Sequence, residues 1–254
     1  MTETQGPDTT GLGPTAGSSS RKARTLALIP ARAGSKRVVG KNHRVFAGKP
    51  LVQWSIDFAR TYPGFDRVMV STDSPEVAAI ARACGLAVPW LRPPELASDT
   101  ATTLDVALHA LEQCAGEGEV FERIAILQPT CPVRYAARWD QACTQLDALS
   151  CEAVVGVSAI EQHPYWTYFL DDKGAMSPCF PGKNQLRSQD LPRAAAINGA
   201  LYLIRVDTLK ALGSFTPPGT HGIVCTDACE NIDIDTEADW FAAEQLISAL
   251  SALT

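Results

Sequence analysis

The chain has 254 residues, 46% of them hydrophobic and 20% charged, which is the profile of a globular protein and excludes wholesale disorder. A formal net charge of −6 speaks against a nucleic-acid partner, which calls for clustered Lys and Arg on a basic domain. No stretch approaches the roughly 18 consecutive apolar residues of a membrane helix.

Residues 1–24 are dominated by Thr, Gly, Pro and Ser at their start and are expected to form a disordered tail. They lack the basic and apolar blocks of a secretory leader. Eight scattered cysteines, none in a CxxC pair, then suit reduced thiols in the cytoplasm. A zinc site through Cys225 and Cys229 would find only His221 nearby and falls short of four ligands. The folded domain is expected over 25–254. Leu26–Ile29 is a short apolar run closed by Pro30, the pattern of a strand buried on both faces. A helix is expected over Pro50–Tyr62 and a strand over Val68–Val70. Asp73-Ser74-Pro75-Glu76 opens the next helix, with Gly85 as its stop.

Leu104, Ala107, Leu108 and Leu111 share one helical face. A strand follows at Ile124–Leu127, a helix at Ala136–Leu149 and a strand at Ala153–Val157. Such alternation predicts βαβ units and a mostly parallel sheet, with ligands beyond the carboxyl ends of its strands. The loops after Ile29, Val70, Leu127 and Val157 are therefore expected to line the site. Residues 160–192 interrupt the rhythm with four prolines and the aromatics Tyr165, Trp166, Tyr168 and Phe169, which read as a local mini-core or a subunit contact. A strand at Asn198–Arg205 and a helix over Thr236–Leu250 complete the chain.

Charge is unevenly placed. Nine of the 22 basic residues lie between Arg21 and Lys49, with no acid among them; six acids and no base lie between Asp227 and Asp239. The pattern suits a polyphosphate and its divalent metal, or two solvated faces. The loop Pro30-Ala-Arg-Ala-Gly-Ser-Lys-Arg-Val-Val-Gly-Lys-Asn42 supplies small residues for backbone approach to an anion and bases to neutralise it. It is not a P-loop, because five residues separate Gly34 from Gly40 and Asn42 follows the lysine. In Asn231-Ile-Asp-Ile-Asp235, extended alternation puts Asp233 and Asp235 on one side, about 7 Å apart, within joint reach of Mg²⁺. The same acids also suit a helix start.

These runs, taken with several others, resemble the acylneuraminate cytidylyltransferases, the CMP-sugar synthetases. The matching segments are Ile29–Lys36 with Lys41-Asn42, Gly48–Leu51, Val70–Ser74, Arg92–Asp99, Leu127–Thr130 with Pro132 and Arg134, Arg187 with Gln189–Pro192, Asn198–Ala200, and Asp233–Thr236. The resemblance implies a Rossmann-like nucleotidyltransferase fold, α/β with a mostly parallel sheet and a small dimerisation excursion at 160–192. It implies transfer of CMP from CTP to a small acidic acceptor with release of pyrophosphate, Mg²⁺ as cofactor, and a homodimer. By the same resemblance Arg32, Lys36 and Lys41 handle the triphosphate, and Asn42, Arg92, Ala101 and Thr103 surround the cytidine. Gln128, Arg187 and Asn198 serve the acceptor, and Asp233 and Asp235 hold the metal. Arg32, Lys36, Asp233 and Asp235 are thereby the expected catalytic set.

The chain also departs from the family pattern. A second Arg shortly before Asn-Gly is replaced in Ala194-Ala-Ala-Ile197, Arg-Arg-Gln reads Arg187-Ser-Gln189, the Ser of Pro-Thr-Ser-Pro is Cys131, and the Ser before Ile-Asp-Ile-Asp is Asn231. These changes crowd the acceptor side. The expected acceptor is a nonulosonic acid; a smaller acid such as a phosphonate, or a nucleotide-binding module without catalysis, is the alternative.

Overall fold

The computed structural model describes residues 23–149 and 151–251. Nearly all of the expected N-terminal tail lies outside the described residues. In chain order the elements are β1 (Thr25–Pro30), the short pair β2 (Val45–Phe46) and β3 (Lys49–Pro50), α1 (Leu51–Thr61), β4 (Arg67–Ser71) and α2 (Pro75–Ala83). Then come the single turn α3 (Pro94–Ala97), α4 (Thr103–Gly116), β5 (Arg123–Ile126), α5 (Ala136–Ala148) and β6 (Ala153–Ala159). The hairpin β7 (Tyr168–Leu170) and β8 (Met176–Pro178) precedes β9 (Ala195–Arg205), α6 (Val206–Leu212), β10 (His221–Val224) and α7 (Glu237–Ser251).

Six strands form one sheet in the order β10-β6-β9-β5-β1-β4. All run in one direction except β9, which is antiparallel to both β5 and β6. Alternation along the central strands sends side chains to two faces. Ala27 and Ile29 pack with α1, α2 and α5 around Trp139, while Leu26 and Leu28 pack with α4 and α6 around Val106, Ala110 and Leu209. The apolar continuity of these strands in the sequence follows from this burial on both faces.

A third apolar cluster determines where the functional residues meet. Val38, from the middle of the basic loop, is fully buried together with Phe46, Leu51, Ile234 and Trp240, and Ile232 lies beside them. Burying each such aliphatic side chain contributes roughly 1.5–3 kcal/mol. That packing brings the loop after β1 against the segment before α7, nearly 200 residues later, so the basic and acidic runs face each other across one cleft.

The start of α7 is secured locally. Thr236 and Asp239 exchange hydrogen bonds: Asp239 Oδ2 accepts from the Thr236 backbone N–H (2.7 Å) and hydroxyl, and the Asp239 N–H donates to Thr236 Oγ1 (3.2 Å). Replacing Asp239 by alanine is expected to cost about 1 kcal/mol of stability, read by urea denaturation. The Thr236 hydroxyl holds the Asp239 carboxyl below its ordinary range. Its contribution is therefore full above the unfolded-state pKa and fades as the pH falls through the lower folded-state value, so acidification should close the gap between wild type and variant.

Residues 160–192 project as the β7–β8 hairpin. Tyr165 packs on Phe180 (5.3 Å between ring centroids) and His163, whereas Phe169, Leu170 and Met176 are exposed. The excursion thus combines a small local cluster with an open apolar strip. All eight cysteines are free thiols. No helix among the described residues is long and apolar enough to cross a membrane.

Candidate active site

The carboxyl ends of β1, β4 and β5 lie side by side, with Pro30 opposite Ser71 and Leu28 opposite Ile126. A cleft of about 600 Å³ opens beyond them. Its walls are the loop after β1, the segment from Arg92 to Thr103, the loop after β5, and Asp233 and Asp235. The loop after β4 supports the cleft without lining it: Asp73 Oδ1 accepts from the Ala33 N–H (2.8 Å), and Ser71 O accepts from the Ala31 N–H (2.9 Å). The expectation for the loop after Val157 is not met, because β9 intervenes between β6 and β5 and moves that strand end away from the cleft.

The four cations that the loop after β1 brings to the cleft each stand against a carboxylate. Lys36 Nζ lies 2.5 Å from Asp99 Oδ2, and Arg32 Nη1 lies 3.5 Å from Asp99 Oδ1 while donating to Ser98 O (2.9 Å). The Lys36 ammonium holds the Asp99 carboxyl below its usual range. Arg37 Nη2 donates to Asp235 Oδ2 (2.9 Å), and Lys41 Nζ donates to Ile234 O (2.8 Å) with Asp235 Oδ1 at 3.4 Å. Lys41 is nearly buried, so it also ties the basic loop to the acidic segment. Asn42 Nδ2 donates to Arg32 O (2.8 Å) and fixes the loop's shape.

On the opposite wall, Arg92 donates from Nε to Ser71 Oγ (3.0 Å) and from Nη2 to Ser71 O. Burial pulls its pKa down to about 10, still leaving it charged at neutral pH. Ala101 and Thr103 flank Thr102, which caps α4 through a reciprocal pair of hydrogen bonds with Asp105. Ala101 and Thr103 therefore stand at the N-terminus of α4, with the Ala101 N–H already given to Ser98 Oγ (3.2 Å).

Asp233 and Asp235 point to the cleft from an extended segment that belongs to no sheet strand. The alternation holds regardless: Ile232 and Ile234 are buried and the aspartates are not. Asp235 does not cap the following helix, since Thr236 and Asp239 do so, and its carboxylate faces Arg37 and Lys41. Asp233 Oδ1 has the Cys131 thiol 3.9 Å away. Burial, then the Asp233 charge, pushes that thiol up to about 12, so it remains a neutral donor. Two hard carboxylates beside an open, cation-lined cleft fit Mg²⁺, which takes one or two protein carboxylates and fills its shell with phosphate oxygens and water.

Of the expected site residues, only Arg187 and Asn198 stand outside this cleft. Arg187 belongs to the projecting excursion, where Nε donates to Asp190 Oδ2 (2.7 Å) and the side chain is 73% exposed. Asn198 lies behind the wall, with Oδ1 accepting from the Ala200 N–H and Nδ2 donating to Asn231. Gln128 lines both the cleft and an adjoining cavity of about 380 Å³, floored by Tyr202, Phe215 and Ile197 and edged by Thr103, Ser214 and Thr216. Sequence reasoning overlooked Arg37, Asp99 and this cavity. Arg37 lies within the basic loop Pro30–Asn42 and Asp99 ends the Arg92–Asp99 segment, while Tyr202 and Phe215 carry no motif signal.

Known proteins share this architecture. A cytidylyltransferase family model matches residues 26–145. The chain is 34% identical over 225 residues to the CMP-N,N'-diacetyllegionaminic acid synthase of Legionella pneumophila subsp. pneumophila, covering 88% of this chain and 96% of that protein. It is 31% identical over 217 residues to an N-acylneuraminate cytidylyltransferase of Streptococcus agalactiae serotype III, covering 85% of this chain and 51% of that protein. The solved structure of a CMP:2-keto-3-deoxy-manno-octonic acid synthetase complexed with CTP superposes with a TM-score of 0.66 at 18% identity, over 89% of this chain and 99% of that one. This last likeness establishes the fold.

Proposed function

The chain belongs to the acylneuraminate cytidylyltransferase (CMP-sugar synthetase) family, and from that premise we propose how its cleft transfers CMP from CTP to a nonulosonic acid and releases pyrophosphate. The observation that carries the proposal is the meeting of the basic loop and the Asp233–Asp235 pair in one cleft.

CTP brings a charge of about −4, and an anionic acceptor must approach its α-phosphorus. The chain's task is to hold both and to offset their repulsion, so catalysis is positioning and electrostatics. Arg32 and Lys41 hold the β- and γ-phosphates. Lys36, free to leave Asp99, stabilises charge on the transferring phosphoryl group. Asn42, Arg92, Ala101 and Thr103 enclose the cytidine. Asp233 and Asp235 hold Mg²⁺, which when bound supplies charge that screens the triphosphate and polarises phosphate oxygens. Gln128, at the junction of the two cavities, orients the acceptor. The adjoining cavity's aromatic floor and hydroxyl rim suit the mixed surface of a sugar acid. Arg187 and Asn198 line neither cavity, and the Asn198 amide is taken up by Ala200 and Asn231, so neither is assigned a contact with the acceptor.

The exposed Phe169, Leu170 and Met176 strip supports the β7–β8 hairpin as the contact of a homodimer. Free thiols throughout support a cytoplasmic setting.

The test is a screen for CTP-dependent pyrophosphate release with nonulosonic acids, shorter keto sugar acids and small phosphonates. Release is expected with a nonulosonic acid, and CTP should raise the melting temperature more than GTP or UTP does. Release with phosphonates alone would overturn the acceptor assignment.

A further inference from the structure

Cys131 and Asn231 contact the same residue, Asn198. Asn198 Nδ2 donates to Asn231 Oδ1 (2.8 Å), and the Asn198 carbonyl accepts from the Cys131 thiol (3.5 Å). The same thiol stands 3.9 Å from Asp233 Oδ1, and Asp233 follows Asn231 by two residues along the chain. With its one S–H given to either acceptor and its sulfur in contact with the other, Cys131 closes a ring: Asn231 to Asn198, Asn198 to Cys131, Cys131 to Asp233, and Asp233 back to Asn231 through the backbone.

The ring leaves little room to move. Asn231 Nδ2 is anchored to the carbonyls of Cys225 (3.1 Å) and Asp227 (3.0 Å). Ile234 N–H donates to Thr130 O (2.9 Å), fixing the register between the two segments that carry Cys131 and Asp233. Gly199 has φ +77°, and a Cβ there would stand 2.9 Å from both Cys131 Sγ and Gln128 Oε1. At Gly156 a Cβ would stand 2.7 Å from Asn198 Oδ1. Backbone thus presses on the ring from two sides, and at Gly199 the positive φ favours glycine as well. A serine at 231 has one oxygen on a short stem and cannot meet Asn198 and two carbonyls together.

We infer that Cys131 and Asn231 are positioning residues that act as one unit, through Asn198, to hold the Asp233 carboxylate toward the cleft in a metal-ready orientation. The inference rests on the metal role proposed for Asp233. Groups that orient a ligating carboxylate typically change metal affinity by about 10–100-fold when removed, and contacting residues in one network do not add.

The experiment is a titration of Mn²⁺, followed by electron paramagnetic resonance, into the CTP-bound full chain without acceptor. Cys131→Ala and Asn231→Ser should each weaken Mn²⁺ binding about tenfold. The double variant should be no weaker than about tenfold, because either change already opens the ring. Cys131→Ser, which restores a donor, should bind Mn²⁺ within about twofold of wild type. Unchanged Mn²⁺ affinity in both single variants, whatever happens to their melting temperatures, would reduce the ring to a packing feature. An additive loss of about a hundredfold in the double variant would break the claim that the residues act together. The Asn231→Ser arm stands alone should Cys131→Ala not fold. Asp233→Ala is the control: Mn²⁺ affinity unaltered there would overturn the metal assignment, and this inference with it.

Discussion

Asp235→Ala is expected to lower CTP-dependent pyrophosphate release by about 10²–10³-fold while the protein stays folded. The carboxylate is the meeting point of the two charged runs, facing Arg37 at 2.9 Å and Lys41 at 3.4 Å. Removing it leaves two cations unopposed and takes away half of the acidic pair. Stability should change little, because the side chain is partly exposed and α7 is capped by Thr236 and Asp239. Asp235→Asn keeps the size and removes the charge, so an equal loss in that variant would assign the effect to charge. Initial rates of pyrophosphate release and a thermal melt check both parts.

Lys36→Ala is expected to reduce kcat by about 10²–10³-fold, with a smaller change in KM for CTP. Its side chain is 78% exposed and, among the described residues, its ammonium is paired with Asp99 alone, so folding should not depend on it. In the proposed mechanism it leaves Asp99 for a phosphoryl oxygen, an interaction that would be worth most as charge develops there. Single-turnover rates separate the cases: a change confined to KM would make Lys36 a binding residue for the triphosphate and remove it from the catalytic set. Asp99 is the informative neighbour, since the incoming triphosphate must compete with its carboxylate for Lys36 and Arg32.

Much of the fold was legible because burial on both faces writes apolar runs such as Leu26–Ile29 and Ile124–Leu127 into the chain. Start and stop signals also held locally: Ser74 caps α2 through the Val77 N–H, and Gly85 adopts φ +80° just beyond it. What escaped was structure without a local signature. Helix α6 begins at Val206 directly from β9, with no polar loop to announce it. Strand β10 is only four residues long and pairs with β6 at the sheet edge.

The site divides in the same way. The basic loop and the aspartates were readable as chemistry because their residue types and spacing are unusual. Their meeting was not, since it depends on Val38, Ile232 and Ile234 sharing one apolar cluster across almost 200 residues. The placement of Arg187 outside the cleft, and of Asn198 behind its wall, likewise depends on tertiary packing that a motif does not encode.

The central claim is that the early cations and the late aspartates act on a single triphosphate. A crystal structure of the chain with CTP and Mn²⁺ tests it most directly. The account predicts an anomalous Mn²⁺ peak at coordination distance from Asp233 and Asp235, with the triphosphate in contact with Arg32, Lys36 and Lys41. A triphosphate seated away from those three side chains, or manganese bound to other ligands, would contradict it.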